Sequence, residues 1–218
     1  MSDDFTEILR KATAEMGCSL GPEEIALFEA YRRELLFWNS RVNLVSLKEP
    51  EDLPVKHIAD SLSALPFLPA SAAALLDLGS GAGFPGIPLK IVRRPLRVFL
   101  LESSRRKISF LKTVIRSLGL EDAAAIHARA EELPAHFQGR FDAVISRAAL
   151  KLPEFIRIAA PLVSPGGIVI AMKGRDPREE IEEAIRQERR TGTRFAAKRG
   201  LRLPILGEER NIVVFSKS

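Results

Sequence analysis

Residues 75–88 carry the densest chemical signal in the chain, reading Leu-Leu-Asp-Leu-Gly-Ser-Gly-Ala-Gly-Phe-Pro-Gly-Ile-Pro. A short apolar run ends in an acid, breaks into alternating glycines and restarts behind proline. Apolar 74–78 is too short for an independent helix and predicts a buried parallel strand. Gly79, Gly81 and Gly83 permit a sharp turn and let the backbone approach a ligand with no Cβ in the way. Pro85 suits the first turn of a following helix, where an N–H would go unpaired. Strand, glycine turn and helix N-terminus in that order make a nucleotide-cofactor site on an open α/β sheet.

Two cofactors compete for this loop. Counted from Gly81 it is Gly-x-Gly-x-x-Gly, the dinucleotide fingerprint, which would make the chain an NAD-dependent oxidoreductase. Counted from Gly79 it is acid-x-Gly-x-Gly-x-Gly, the pattern of S-adenosylmethionine methyltransferases. Asp77 favours the second, because a carboxylate at the strand end attracts a cationic or amino-bearing ligand and repels a pyrophosphate. The next apolar run, 96–101, ends at Glu102, about 20 residues past the loop, the spacing of a ribose-binding acid. Its two carboxylate oxygens match the two vicinal ribose hydroxyls. Asp77, Gly79, Gly81 and Glu102 are thus the candidate cofactor ligands.

Composition narrows the class. The chain has 218 residues, 46% hydrophobic, enough to bury one substantial core. No run approaches 18 uncharged apolar residues, and Met1-Ser2-Asp3-Asp4 is no signal peptide, so a soluble cytoplasmic protein without a membrane partner is expected. Cys18 is alone and the three histidines, His57, His127 and His136, lack ligand spacing, so no metal is expected. The net charge is +5, and the basic residues cluster. Arg105, Arg106, Lys107, Lys112 and Arg116 share one short span, and a second run from Lys173 through Arg175 to Arg202 is diluted by glutamates. Such runs on a nucleotide-cofactor scaffold point to nucleic acid; a noncatalytic RNA-binding module is the third class they allow.

Positioning those residues requires a particular order of elements. Helices are predicted over 3–16 and 22–39, the latter with Phe28, Tyr31, Leu35, Trp38 and Val42 in one apolar stripe. A third helix covers 52–65. Strands at 74–78, 96–101, 123–127, 141–146, 167–172 and 211–216 then alternate with helices at 85–92, 104–118, 153–162 and 177–190, and 194–203 reads as an edge strand. Alternation means right-handed crossovers and a mostly parallel, doubly wound α/β sheet of the Rossmann-like type. Residues 1–70 form a helical extension packed on a core of 71–218, which is one globular unit.

Several blocks together resemble the bacterial small-subunit ribosomal RNA methyltransferase G family, also called glucose-inhibited division protein B. They are Trp38-Asn39 with Val42-Asn43-Leu44, His57-Ile58-Ala59-Asp60-Ser61-Leu62, 77–88, and Glu102-Ser103-Ser104 with Lys107 and Phe110-Leu111. Arg129-Ala130-Glu131-Glu132, Ser146-Arg147-Ala148 and Lys173-Gly174 complete the set. Glu102 stands where the family more often has Asp, and Val45 where Thr is frequent. The resemblance implies a class I methyltransferase fold, S-adenosylmethionine as cofactor, and methylation of guanine N7 in a decoding-region loop of 16S rRNA in the small ribosomal subunit. It further implies that Gly79 and Phe84 line the methionine and adenosine part of the site. Glu102, Ser103 and Ser104 hold the ribose surroundings, Ala130 and Glu131 meet the adenine end, and Arg147 faces the cofactor. A monomer is expected.

The chemistry agrees with what is missing. Guanine N7 has a free lone pair and no proton, so neither a general base nor a covalent nucleophile is needed. Alignment supplies the rate. Cytosine C5 chemistry would need an activated cysteine, and Cys18 lies far upstream. No catalytic residue is therefore expected, Arg147 and Lys173 being candidates for positioning substrate. His57 with Asp60 reads as a helix start, and Asn39, Arg41 and Asn43 as possible RNA contacts.

Overall fold

The computed structural model describes residues 2–147, 150–174 and 176–218. Its strands are β1 Ala74–Leu78, β2 Arg97–Glu102, β3 Ala123–His127, β4 Phe141–Arg147, β5 Val163–Lys173, β6 Thr193–Arg202 and β7 Glu209–Lys217. They form a seven-stranded sheet in the order β3-β2-β1-β4-β5-β7-β6. From β3 to β5 the neighbours are parallel, whereas β7 runs antiparallel to β5 and β6 antiparallel to β7. That inserted strand separates the sheet from the all-parallel dinucleotide order. The chain changes winding direction between β1 and β4, which opens a crevice beyond their carboxyl ends.

Side-chain alternation explains the two cores. Leu75 of β1 lies in one core cluster with Phe28, Tyr31 and Leu35 of α2 (Pro22–Asn39), Ile87 of α4 (Gly86–Val92) and Phe110 of α5 (Arg105–Ser117). Leu76 and Leu78 lie in the other with Phe155 of α6 (Leu152–Ala159) and Ile181 of α7 (Arg178–Arg186). Successive residues of a strand point to opposite faces, so an uninterrupted apolar run is what a doubly covered strand requires. The whole of β1 is buried. Helices α1 (Ser2–Glu15) and α2 contribute Leu9, Phe28 and Tyr31 to the same cluster as the sheet.

Some elements depart from sequence expectation. The helix expected over 52–65 begins as a π-helix, Asp52–Ala59, and runs directly into one α-turn, α3 (Asp60–Leu62). His57 and Asp60 therefore lie inside a continuous helix and not at its start. The single helix expected over 177–190 is broken at Gln187 into α7 and α8 (Glu188–Thr191). Strand β5 starts at Val163, before the glycine pair that suggested its first residue, and β4 shifts register against it between Phe141 and Ala143. Helix α4 starts at Gly86, with Pro85 as its cap. Ala148 and Arg175 lie outside the described residues.

Candidate active site

The glycine loop is built from both ends. Gly79, at φ +74°, and Ser80 both donate their N–H to Leu101 O, at 2.9 and 3.0 Å, which bends the chain over the end of β2. Ser80 O then accepts from Gly83 and Phe84 at 2.7 and 3.0 Å. Buried Tyr31 of α2 donates its hydroxyl to Ala82 O in the loop. A Cβ at Gly83 would collide with Ile87 and approach the Tyr31 hydroxyl at 3.2 Å, so glycine is required there.

Asp77 does something other than the sequence suggested. It shares its face of β1 with Leu75 and is fully buried beneath α4. Its Oδ2 accepts the Gly86 N–H at 3.0 Å, and its Oδ1 has no hydrogen-bond partner among the described residues. Burial pushes its carboxyl up to about 7, against the Gly86 N–H and the Ser80 hydroxyl. One oxygen of the carboxylate expected to meet the ligand is engaged by the helix N-terminus, and Asp77 does not line the cleft beyond the strand ends.

A cleft of about 180 Å³ opens beyond β1, β2 and β4. Gly79, Glu102, Ser103, Ala130 and Glu131 line it, as the sequence placed them, together with Leu78, Leu101, Ser146 and Leu150. Glu102 Oε2 accepts Gly81 N–H at 3.0 Å and its Oε1 accepts Ser104 N–H at 2.8 Å. Oε1 also takes the Ser103 hydroxyl at a long 3.5 Å, a contact that a ribose hydroxyl could replace, and Oε2 keeps a second acceptor site, so the carboxylate suits a pair of ribose hydroxyls. The apolar Leu78, Leu101 and Leu150 give a purine ring its walls. The residues thus fit an adenosyl ligand. Gly81 and Ser104 act through their backbone N–H groups and do not line the cleft. Phe84 is buried against Tyr31, ring centroids 5.5 Å apart, and leaves the cleft as well. The 3-10 turn Ala130–Glu132, which carries two of the lining residues, had only the resemblance to mark it.

Next to this cleft lies a larger cavity of about 810 Å³. Consecutive residues divide the two: Ser146 lines the cleft and Arg147 the cavity. Arg147 does not face the cofactor cleft as expected. Its Nη1 donates to Lys56 O at 2.9 Å and lies 3.4 Å from Asp60 Oδ2. Its Nη2 is 2.9 Å from His57 Nδ1, and its guanidinium sits over the Phe84 ring at 5.1 Å. His57 stacks on the same ring at 5.0 Å. Burial, with Arg147 beside it, lowers the imidazole to about 4, so Nδ1 is a free acceptor at neutral pH. The nearly buried Asp60 is pushed up by burial and held back by Arg147 and Arg210, whose Nε is 3.4 Å away. Lys56 pairs with Asp52 at 2.7 Å and Glu208 at 3.4 Å. Lys173 also lines the cavity, its Nζ fixed by Glu180 at 2.7 Å and Leu150 O at 2.9 Å.

The π-helix explains how one segment supplies four of these side chains. It carries Asp52, Lys56 and His57 to one wall, where Asp60 of the α-turn that continues it joins them, and such segments concentrate at functional sites. Asn39 is not free for RNA, because its Oδ1 caps the N–H groups of Leu44 and Val45 at 2.8 and 3.0 Å.

Comparison with known proteins agrees with this geometry. The family model described as rRNA small subunit methyltransferase G matches residues 24–204. The ribosomal RNA small subunit methyltransferase G of Syntrophus aciditrophicus is 44% identical over 98% of this chain and 90% of its own length. Among solved structures, Pyrococcus horikoshii TYW2 in complex with MeSAdo superposes with a TM-score of 0.59 at 16% identity, over 80% of this chain and 65% of that one. The precorrin-6y C5,15-methyltransferase of Geobacter metallireducens gives 0.53 at 15%, over 72% and 87%. At such identities the structures speak for the fold alone, a Rossmann-like class I methyltransferase fold.

Proposed function

The chain belongs to the rRNA small subunit methyltransferase G family, and from that premise we propose how its two adjoining hollows divide the work. The protein is an S-adenosylmethionine-dependent methyltransferase acting on N7 of a guanine in 16S rRNA. The observation that carries the division is the shared partition at Ser146 and Arg147, with a cleft lined by Glu102 and apolar side chains on one side and a larger cavity lined by charged side chains of both signs on the other.

When bound, S-adenosylmethionine supplies a methyl group already activated by a sulfonium. Glu102 would hold the ribose hydroxyls, and the backbone of Gly79 with the turn at Ala130 and Glu131 would flank the adenosyl unit. Arg147, steadied by Lys56 O, His57 and Asp60, forms the wall against which the target base comes to rest. No chain group needs to remove a proton, because guanine N7 carries none. Presenting that lone pair in line at near-attack distance is what the partition contributes. Lys173, held by Glu180, adds a positive field on the base side.

The exposed face of α5 carries Arg105, Arg106, Lys112 and Arg116, none of them in an ion pair among the described residues, and it grips RNA phosphates. The protein works as a monomer in the cytoplasm, with residues 1–70 packed as an extension on the core of 71–218. Among the described residues, no helix is long and apolar enough to cross a membrane. The test is incubation with tritiated S-adenosylmethionine and small subunits from a strain deleted for the protein, followed by mapping of the labelled nucleotide. Label at one guanine N7 of 16S rRNA is expected. Label on another atom, or none in RNA, would overturn the assignment.

A further inference from the structure

Guanine differs from the other bases along its Watson–Crick edge, where N1–H and the N2 amino group stand side by side as donors. The purine presents that edge on the side opposite N7. A guanine whose N7 faces the cofactor cleft therefore points its N1 and N2 donors toward the cavity wall remote from the Ser146–Arg147 partition. A carboxylate is the group that accepts both bonds at once.

Three carboxylates line the cavity: Asp52, Asp60 and Glu49. Asp60 is committed to Arg147 and Arg210. Asp52 is committed to Lys56 at 2.7 Å and to two backbone N–H groups. The exposed Glu49 side chain alone has no ion pair or hydrogen bond among the described residues. It also borders a separate outer groove with Leu36 and Leu47, which places it at the rim, and it precedes the π-helix whose opposite end, Lys56 to Asp60, is what Arg147 holds. Its backbone is nevertheless fixed. Asp52 Oδ2 takes the N–H of Lys48 at 2.6 Å and of Glu49 at 3.0 Å, and Asp52 N–H returns to Glu49 O at 3.1 Å. A free acceptor on a clamped turn at the far wall is what recognition of a base edge requires.

We propose that Glu49 is a specificity-determining residue that reads the Watson–Crick edge of the target guanine, accepting from N1–H and the N2 amino group. The inference rests on the guanine-N7 reading above. Inosine at the target nucleotide tests it, since inosine keeps N7 and N1–H and lacks the N2 amino group. Small subunits reconstituted with guanosine or inosine at that position are compared by kcat/KM for the wild type, Glu49→Gln and Glu49→Ala, and their binding is measured alongside in case turnover is lost. The wild type should prefer guanosine by about tenfold, the worth of one bond to a charged acceptor. Glu49→Ala should bring that ratio close to one, Glu49→Gln, which keeps one neutral acceptor, should lower it part of the way, and both should leave the KM for S-adenosylmethionine unchanged. Variants that discriminate as well as the wild type overturn the proposal, and so does an active wild type indifferent to the N2 amino group. A wild type that places no methyl on guanine N7 fails the underlying reading instead, and the mapping experiment reports that separately.

Discussion

Two side chains, one half-buried and one fully buried, hold positions that only their protonation state makes sense of. His57 accepts from Arg147, which demands a neutral imidazole, and its lowering to about 4 keeps it so. Replacing it by leucine leaves a guanidinium N–H unmet, at a cost of about 1–3 kcal/mol. His57→Leu should lower turnover about tenfold with little change in the KM for S-adenosylmethionine. His57→Asn, whose side-chain oxygen falls near Nδ1, should recover most of it; equal loss in both variants would remove His57 from the positioning of Arg147. A folded value below the unfolded one, about 6.5, means stability that is present above pH 6.5 and lost as pH falls toward 4. Asp77 has the opposite sign. Its folded value near 7 exceeds an unfolded one of about 4, so its stabilisation is full below pH 4 and lost as pH rises through 7. Asp77→Asn keeps an acceptor for Gly86 N–H and carries no charge. Denaturant melts from pH 4 to 8 should show the wild type weakening by a few kcal/mol relative to the variant, and parallel curves would count against a buried, titrating Asp77.

At the scale of elements, the glycine loop is shaped by neighbours remote in sequence. Leu101 O receives its first two N–H groups, Glu102 holds Gly81, and Tyr31 reaches from α2 to Ala82 O. Helix α5 shows the converse, an element whose face follows from its own spacing. Ile108, Phe110, Leu111 and Val114 are buried while its basic residues stay in solvent. If that face meets phosphates, Arg106→Glu with Arg116→Glu should weaken binding to small subunits and flatten log K against log salt by roughly 1–2 units. Unaltered affinity and slope would move the RNA path elsewhere. The π-helix was not legible, because its sequence has ordinary helical composition; the contacts of Arg147 with Lys56 O and Asp60 reach it from β4, remote in sequence.

For the whole molecule, Leu9, Phe28 and Tyr31 of the N-terminal helices share one core cluster with Leu75, Ile87 and Ile145. Extension and core should therefore unfold together. One calorimetric transition, with matching van 't Hoff and calorimetric enthalpies, is expected, and two separable transitions would show that residues 1–70 fold independently. Sheet, crossovers and cofactor crevice could be read from the chain because apolar period, glycine spacing and strand-end acids are local codes, fixed by backbone sterics within a few residues. Gly79 and Glu102 reached the cleft accordingly, while Ser103, Ala130 and Glu131, which line it too, were marked only by the family resemblance. The fates of Asp77, Phe84 and Arg147 were decided only in three dimensions. The direction of each side chain depended on which partner, Gly86, Tyr31 or His57, packed against it. The sequence determined where a ligand could bind; long-range packing, which favours pairing of desolvated polar groups, decided which residues were left free to touch it.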